Sequence, residues 1–212
     1  MTKPASAPDP LPGAAPTITL QRLEAVATGR GLKLRLRTPR RRGVWGLRVV
    51  VARPSGDGRA ELLGELKGWA LASPPLLQLD TMRVQGADTA GVGALIWAAT
   101  FAWALECTPC RRARLLAIRD NERQHKRLVR YFQRLGFEPV QELGSSPTDL
   151  VLRLIWGGSG LLMGGDCAEG LARSGRLLGG WAATSAAESA AESPGDPAAE
   201  PAQAAPSTSR SS

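Results

Sequence analysis

The sequence has few cysteines and few aromatic residues, and it has no long apolar run. Its 212 residues include three cysteines, and only 5% are aromatic. An odd number of cysteines with no secretory signal ahead of them predicts that there is no disulfide framework and that the protein is cytoplasmic. The longest apolar run, residues 94–105, is too short to cross a bilayer, so we expect no membrane association.

Candidate metal ligands are equally scarce. Cys107 and Cys110 form one Cys-x-x-Cys pair, but zinc requires four ligands and no second pair follows. We therefore predict no metal site. The single histidine, His125, lies between Gln124 and Lys126, and these polar neighbours predict an exposed helix position instead of a catalytic base.

Positive charge is what the chain has in excess, with a formal net charge of +8. Much of it falls in one short segment, which contains Arg30, Lys33, Arg35, Arg37, Arg40, Arg41 and Arg42. Such a cluster attracts phosphates, anionic cofactors or an acidic partner. It lacks the interleaved aromatic residues on which single-stranded nucleic acids stack, so we expect no nucleic-acid binding.

Shifts in composition divide the chain into four segments. Residues 1–16 are rich in Ala, Pro and Ser, which predicts a disordered leader, and residues 182–212 form a similar low-complexity tail. Residues 17–157 have the length and apolar content of one globular domain. The glycines and scattered leucines of residues 158–181 predict a loosely packed extension with one short helix around Leu171.

Within the domain, hydrophobic periodicity predicts the order β-β-β-β-α-β-α-β-β. Leu32, Leu34 and Leu36 alternate with basic residues, as in a half-exposed strand. Further strands are predicted at residues 44–52, 62–71, 76–84, 114–118, 138–143 and 150–156, and helices at 94–106 and 121–135. Residues 38–43 leave room for only a turn between the first two strands.

Several motifs follow these elements in a fixed order. They are the apolar-glycine step Leu63-Gly64, the strand at 76–84, the turn Gly91-Val92-Gly93-Ala94, Asn121 at a helix start, and Leu135-Gly136-Phe137 at that helix's end. Over residues 44–156 this order resembles the GCN5-related N-acetyltransferase superfamily. The resemblance implies an α/β fold with a central mixed, mostly antiparallel sheet flanked by helices. It also implies transfer of an acetyl group from acetyl-CoA to an amine, here unidentified.

The glycine turn has a physical basis as an anion site, because residues without Cβ let a phosphate approach the free amides of a helix N-terminus. By the resemblance, the coenzyme A pyrophosphate would be held by Thr89, Ala90, Gly91, Val92, Gly93 and Ala94. The backbone of Met82, Arg83 and Val84 would hold the pantetheine arm. Asn121 would place its side-chain amide beside that arm, or would serve only as a helix cap.

The chain departs from the superfamily pattern at two positions. Asp88 stands where an Arg or Gln usually meets the phosphates, and its negative charge would weaken their binding. Phe132 stands where many members have the tyrosine that protonates the leaving thiolate. The only tyrosine, Tyr131, is one residue earlier and is our candidate acid. Asp80 is either a general base acting through water or an edge carboxylate paired with an arginine.

The segment that contains Asp80 and the run Asp88-Thr89-Ala90-Gly91 also resembles a second class, the STAS domain of anti-sigma-factor antagonists. In that class Thr89 would be phosphorylated, and the added charge would switch partner binding. This alternative explains Asp88 but not the motif Leu135-Gly136-Phe137 or the strands that follow it. The acetyltransferase-like prediction therefore covers more of the chain.

Overall fold

The computed structural model describes residues 18–56, 58–119, 121–144 and 158–191. For residues 180–191 it describes the backbone alone. The elements are α1 (Leu20–Thr28), β1 (Lys33–Arg37), β2 (Arg40–Arg41), β3 (Val44–Pro54), β4 (Ala60–Ala72), β5 (Pro75–Val84), α2 (Val92–Cys107), β6 (Arg112–Ile118), α3 (Glu122–Arg134), β7 (Phe137–Leu143), β8 (Gly160–Asp166) and α4 (Cys167–Ala191). Within these ranges no helix is both long and apolar enough to cross a membrane.

The strands form one eight-stranded sheet in the order β1-β3-β4-β5-β6-β8-β7, with β2 paired to β3. Every pair is antiparallel except β5 and β6, which are parallel and are joined through α2. The predicted fold class, a mixed and mostly antiparallel sheet flanked by helices, is confirmed. Only the two-residue strand β2 and its turns lie between β1 and β3, as the short segment required.

Helix α2 lies at the centre of the core because it is apolar around its whole circumference. It contacts α1, α4 and strands β3, β4 and β5. Trp97 on α2 stacks on Phe101, and it meets Phe132 of α3 and Phe137 of β7 edge-on. This aromatic cluster fixes α3 and β7 against the central helix.

Strand β5 contains the two irregularities that open the sheet. It pairs with β6 over only three positions, from Leu77–Ala113 to Leu79–Leu115. It also carries a bulge, because Gly68 of β4 pairs with Leu79 and Lys67 pairs with Thr81, so that Asp80 is an extra residue. Beyond this point the edge of β5 that faces β6 has no strand partner among the described residues.

The C-terminal part of the domain differs from its prediction. Residues 158–181 are not a loosely packed extension, because β8 lies inside the sheet between β6 and β7, and α4 packs on α2. The glycines that suggested looseness allow close contact: a Cβ at Gly165 would lie 3.0 Å from Phe137, and one at Gly164 would lie 3.1 Å from Val140.

The limits of the predicted segments also change. Helix α4 continues without a break across the predicted boundary at residue 182. The predicted leader, residues 1–16, the predicted strand at 150–156 and the chain beyond residue 191 lie outside the described residues.

His125 is also placed differently from its prediction. It is buried, with 6% of its surface exposed, and its Nδ1 lies 3.2 Å from the carbonyl oxygen of Ile118. His125, Leu128 and Phe132 are spaced at i, i+3 and i+7, so they share the inner face of α3. The polar neighbours of His125 in sequence hid this periodicity.

Candidate active site

A cleft of about 400 Å³ opens where β5 and β6 separate. Its lining consists of Asp80, Thr81, Met82, Arg83 and Val84 from β5, Leu116 and Ile118 from β6, and Leu128, Tyr131 and Phe132 from α3. Five of the predicted site residues, Asp80, Met82, Arg83, Val84 and Tyr131, are therefore brought to one site. The bulge of β5 and the separation of β5 from β6 together create the space for this cleft.

The glycine turn forms the start of α2 beside this cleft. Gly91 is the N-cap residue, with a left-handed φ of 73°, and no side chain caps the helix. The amide of Val92 donates to the carbonyl of Thr89 at 3.1 Å, while the amides of Gly93 and Ala94 have no acceptor within the described residues. The first turn of α2 also contains no acidic residue. This helix end is thus free to bind an anion.

Gly93 connects the turn to the cleft. A Cβ at this position would lie 3.5 Å from Met82 Cε, 3.7 Å from Tyr131 Oη and 3.9 Å from a methyl group of Val84. The absence of a side chain therefore keeps open a narrow cradle between β5, α2 and α3.

Asp88 precedes the turn, and its backbone is also left-handed, with φ of 51°. Its carbonyl oxygen accepts a hydrogen bond from Arg53 Nη2 at 3.3 Å, and Arg53 Nη1 lies 3.6 Å from Glu61 Oε2. A guanidinium group is thus held beside the turn. It opposes the negative charge that Asp88 introduces near the phosphate-binding candidate.

Tyr131 lies closer to the cleft than its sequence position suggested. Its hydroxyl oxygen accepts a hydrogen bond from Trp97 Nε1 at 2.7 Å, which leaves the hydroxyl hydrogen available for donation. Burial of the hydroxyl raises the pKa of Tyr131, more than the Trp97 hydrogen bond lowers it, so the group stays protonated at neutral pH. Tyr131 and Phe132 both border the cleft although they are consecutive on the helix.

The apolar surroundings of Trp97 in the sequence are typical of core packing alone and give no sign of its contact with Tyr131. A buried indole N–H needs an acceptor, and a tyrosine is one of the few side chains that can supply an oxygen in an aromatic cluster. The indole is 2% exposed and holds the tyrosine hydroxyl in place.

Asp80 projects from the bulge of β5. Its Oδ1 accepts a hydrogen bond from Gln78 Nε2 at 3.2 Å, and partial burial raises the pKa of its carboxyl. The predicted alternative of pairing with an arginine is not found, because Asp80 makes no ion pair within the described ranges. Its carboxylate is therefore not neutralised by a cation.

Asn121 caps α3. Its Oδ1 accepts hydrogen bonds from the backbone amides of Arg123 at 3.0 Å and Gln124 at 3.4 Å. Asn121 is not among the residues that line the cleft. Its cap role is established by these contacts, and a contact of its amide group with the pantetheine arm stays a prediction.

No protein-family model matches this sequence, and no curated protein matches it. Among solved structures, the chain is similar to an acetyltransferase of the GNAT family from Streptococcus pneumoniae, with 19% sequence identity and a TM-score of 0.38. The match covers 57% of this chain and 67% of that one.

Proposed function

We propose that this protein is an N-acetyltransferase that uses acetyl-CoA as its co-substrate. The observation that carries the proposal is the separation of β5 from β6 after three pairs, which opens a cleft that Tyr131 lines and that lies beside an uncapped glycine turn. A protein that only binds coenzyme A would need the glycine turn but no acid or base. The tyrosine and the unpaired carboxylate of Asp80 beside it favour chemistry over binding alone.

The residues in the cleft fit coenzyme A. The free amides of Gly93 and Ala94 suit a pyrophosphate, with Thr89, Ala90, Gly91 and Val92 completing the turn. Strand β5 pairs with β4 along its other edge, so alternate residues among Met82, Arg83 and Val84 offer backbone donors and acceptors at the unpaired edge to an amide-containing arm such as pantetheine. A Cβ at Gly93 would already contact Met82 and Tyr131, so any longer side chain there would crowd the cleft.

Acetyl-CoA supplies the acetyl group as a thioester. The amine nitrogen forms a bond to the carbonyl carbon, the carbon–sulfur bond breaks, and the electron pair leaves with the sulfur. Asp80 would accept, through water, the proton that the amine loses, and Tyr131 would donate its hydroxyl proton to the leaving sulfur. A backbone amide released from the ladder near Met82 would polarise the carbonyl.

The two titrating groups predict a bell-shaped pH profile. Asp80 acts as a base only when ionised, and its raised pKa moves the acidic limb to higher pH than for an ordinary aspartate. Tyr131 acts as an acid only when protonated, and its raised pKa moves the alkaline limb further up. Activity is expected between these limbs.

The proposal is tested by calorimetric titration of the full chain with acetyl-CoA. Micromolar affinity is expected, together with release of free coenzyme A thiol when a suitable amine is added. Absence of heat at millimolar acetyl-CoA would show that the cleft is not a coenzyme A site.

A further inference from the structure

A row of basic side chains crosses the sheet on the face opposite α2. Arg37 of β1 pairs in register with Arg48 of β3, Arg48 pairs with Lys67 of β4, and Lys67 pairs with Thr81 of β5. Directly paired residues project to the same face of a sheet. Asp80, the extra residue of the bulge, lies beside Thr81 at the end of this row.

The positive charges of this row are only partly balanced by acidic side chains. Like charges on directly opposed strand positions destabilise a sheet. Glu65 offsets part of this charge, since it forms an ion pair with Arg48 and lies 3.5 Å from Lys67. Burial raises the pKa of Glu65, but the hydrogen bond and the charge of Arg48 lower it. The net effect is a lowered pKa, so Glu65 is ionised. Arg37 has no hydrogen bond or ion pair within the described residues.

A cavity of about 760 Å³ lies along this row. Arg37, Arg48 and Lys67 line it, and the side-chain-free positions Gly46 and Gly68 lie among them. Asp80 borders both this cavity and the cleft on the other side of the bulge. The cavity therefore leads from a cationic surface to the carboxylate that the proposed reaction uses.

We propose that this cavity binds the acceptor, and that the acceptor is a small amine carrying a carboxylate. The amino group would lie at Asp80 and the carboxylate at Arg37 and Arg48. This inference rests on the proposed acetyltransferase function. Because β3 and β5 are two strand spacings apart, roughly 10 Å, the amine and carboxylate of the acceptor are separated by several bonds. A simple α-amino acid is too short to engage both ends.

The test compares 6-aminohexanoate with its neutral amide, 6-aminohexanamide, as ligands of the full chain. Both ligands share the amino group, so the difference between their affinities, measured by calorimetry without acetyl-CoA, reports the anion site. We expect the acid to bind about tenfold more tightly than the amide, as a charge-assisted contact allows. The preference should decrease as salt concentration rises.

Arg37→Gln should remove most of the preference for the acid, with binding of the amide unchanged. Arg37 has no partner to lose and lies opposite Arg48, so the melting temperature of the variant should be no lower than that of the wild type. Lys33→Gln is the matched control, because Lys33 is an exposed cation on the same strand outside this cavity. The control should keep the preference. In the presence of acetyl-CoA, the acid should also show the lower KM.

Equal affinity for acid and amide, or a preference that survives Arg37→Gln, would overturn this inference and leave the acetyltransferase proposal standing. If the acid is preferred but acetyl-CoA does not bind, the acceptor assignment falls together with the proposed function. If hexaglutamate binds through Arg37 while the acid shows no preference over the amide, the row docks an acidic protein, and the small-amine inference is wrong.

Discussion

Helices α2 and α3 both pack beside the cleft, but they begin in opposite ways. Helix α2 starts at a left-handed glycine with no capping side chain and no acid in its first turn. Helix α3 starts at Asn121, whose side chain accepts two backbone amides, and Glu122 follows in the first turn. The Asn121 side chain satisfies the first-turn amides of Arg123 and Gln124 in α3, whereas the amides of Gly93 and Ala94 in α2 have no acceptor within the described residues.

This difference separates stability from binding. A capped helix end contributes to folding, and a mutation there is expected to appear in the free energy of unfolding. An uncapped end in a glycine turn contributes little to folding and keeps its donors for a ligand. Helix α2 tolerates such an end because its apolar surface is buried on all sides.

The strongest test of the comparison is Gly91→Glu. The new side chain would place a carboxylate at the free amides of α2 and force a non-glycine residue into the left-handed region, which costs about 1 kcal/mol. We expect measurable acetyl-CoA binding to disappear in calorimetry. Gly31→Glu is the matched control, because Gly31 has a similar φ of 65° with open space around it. If both variants lose binding equally, the effect is one of general stability.

A second test removes the hydrogen bond between Trp97 of α2 and Tyr131 of α3. Tyr131→Phe removes the hydroxyl that accepts from Trp97 and that we propose as the general acid. We expect kcat to fall roughly 100-fold with KM little changed, and the alkaline limb of the pH profile to disappear. The unsatisfied indole N–H should also cost about 1–3 kcal/mol of stability, measured by urea unfolding. A normal kcat with an unchanged alkaline limb would exclude Tyr131 as the acid.

A third test addresses Asn121, which is predicted both to cap α3 and to present its amide to pantetheine. Asn121→Ala should lower the free energy of unfolding by about 1 kcal/mol, whereas Asn121→Asp keeps a capping oxygen and should not. Both variants lose the amide, so both should weaken acetyl-CoA binding by a few-fold, as for one neutral hydrogen bond. Unchanged affinity in both would limit Asn121 to its capping role.

The smallest effect is expected at Thr89. Its contact at the turn is made by its backbone carbonyl, so Thr89→Ala should change acetyl-CoA affinity by less than about twofold. The same variant tests the phosphorylation-switched alternative. A mass gain of about 80 Da after treatment with a partner kinase, lost in Thr89→Ala, would favour a regulatory domain over a transferase.

The central strands and helices could be predicted because their patterns are local. The alternation in β1, the apolar circumference of α2 and the glycine turn each lie within a few consecutive residues, and each has the predicted structure. His125 was placed on the wrong face because its immediate neighbours are polar, although Leu128 and Phe132 supplied the correct helical period.

Other features depend on contacts between distant residues and could not be predicted from local patterns. The hydrogen bond of Tyr131 joins it to Trp97 across 34 positions in the sequence. The bulge that exposes Asp80 appears only when β4 and β5 are aligned. Strand β8 was missed because its glycines are typical of loops, and only the close packing of the neighbouring strands, by Phe137 at Gly165 and Val140 at Gly164, explains why they occur in a strand.

The position of β8 also constrains the order in which the chain can assemble. Strand β7 is made before β8, yet among the described residues it lies at the edge of the sheet and pairs with β8 alone. On the ribosome, β7 must therefore wait until residues 160–166 have emerged. A chain that stops at residue 159 would lose two strands of the sheet instead of one, and would leave β6 with a long unpaired edge open to aggregation.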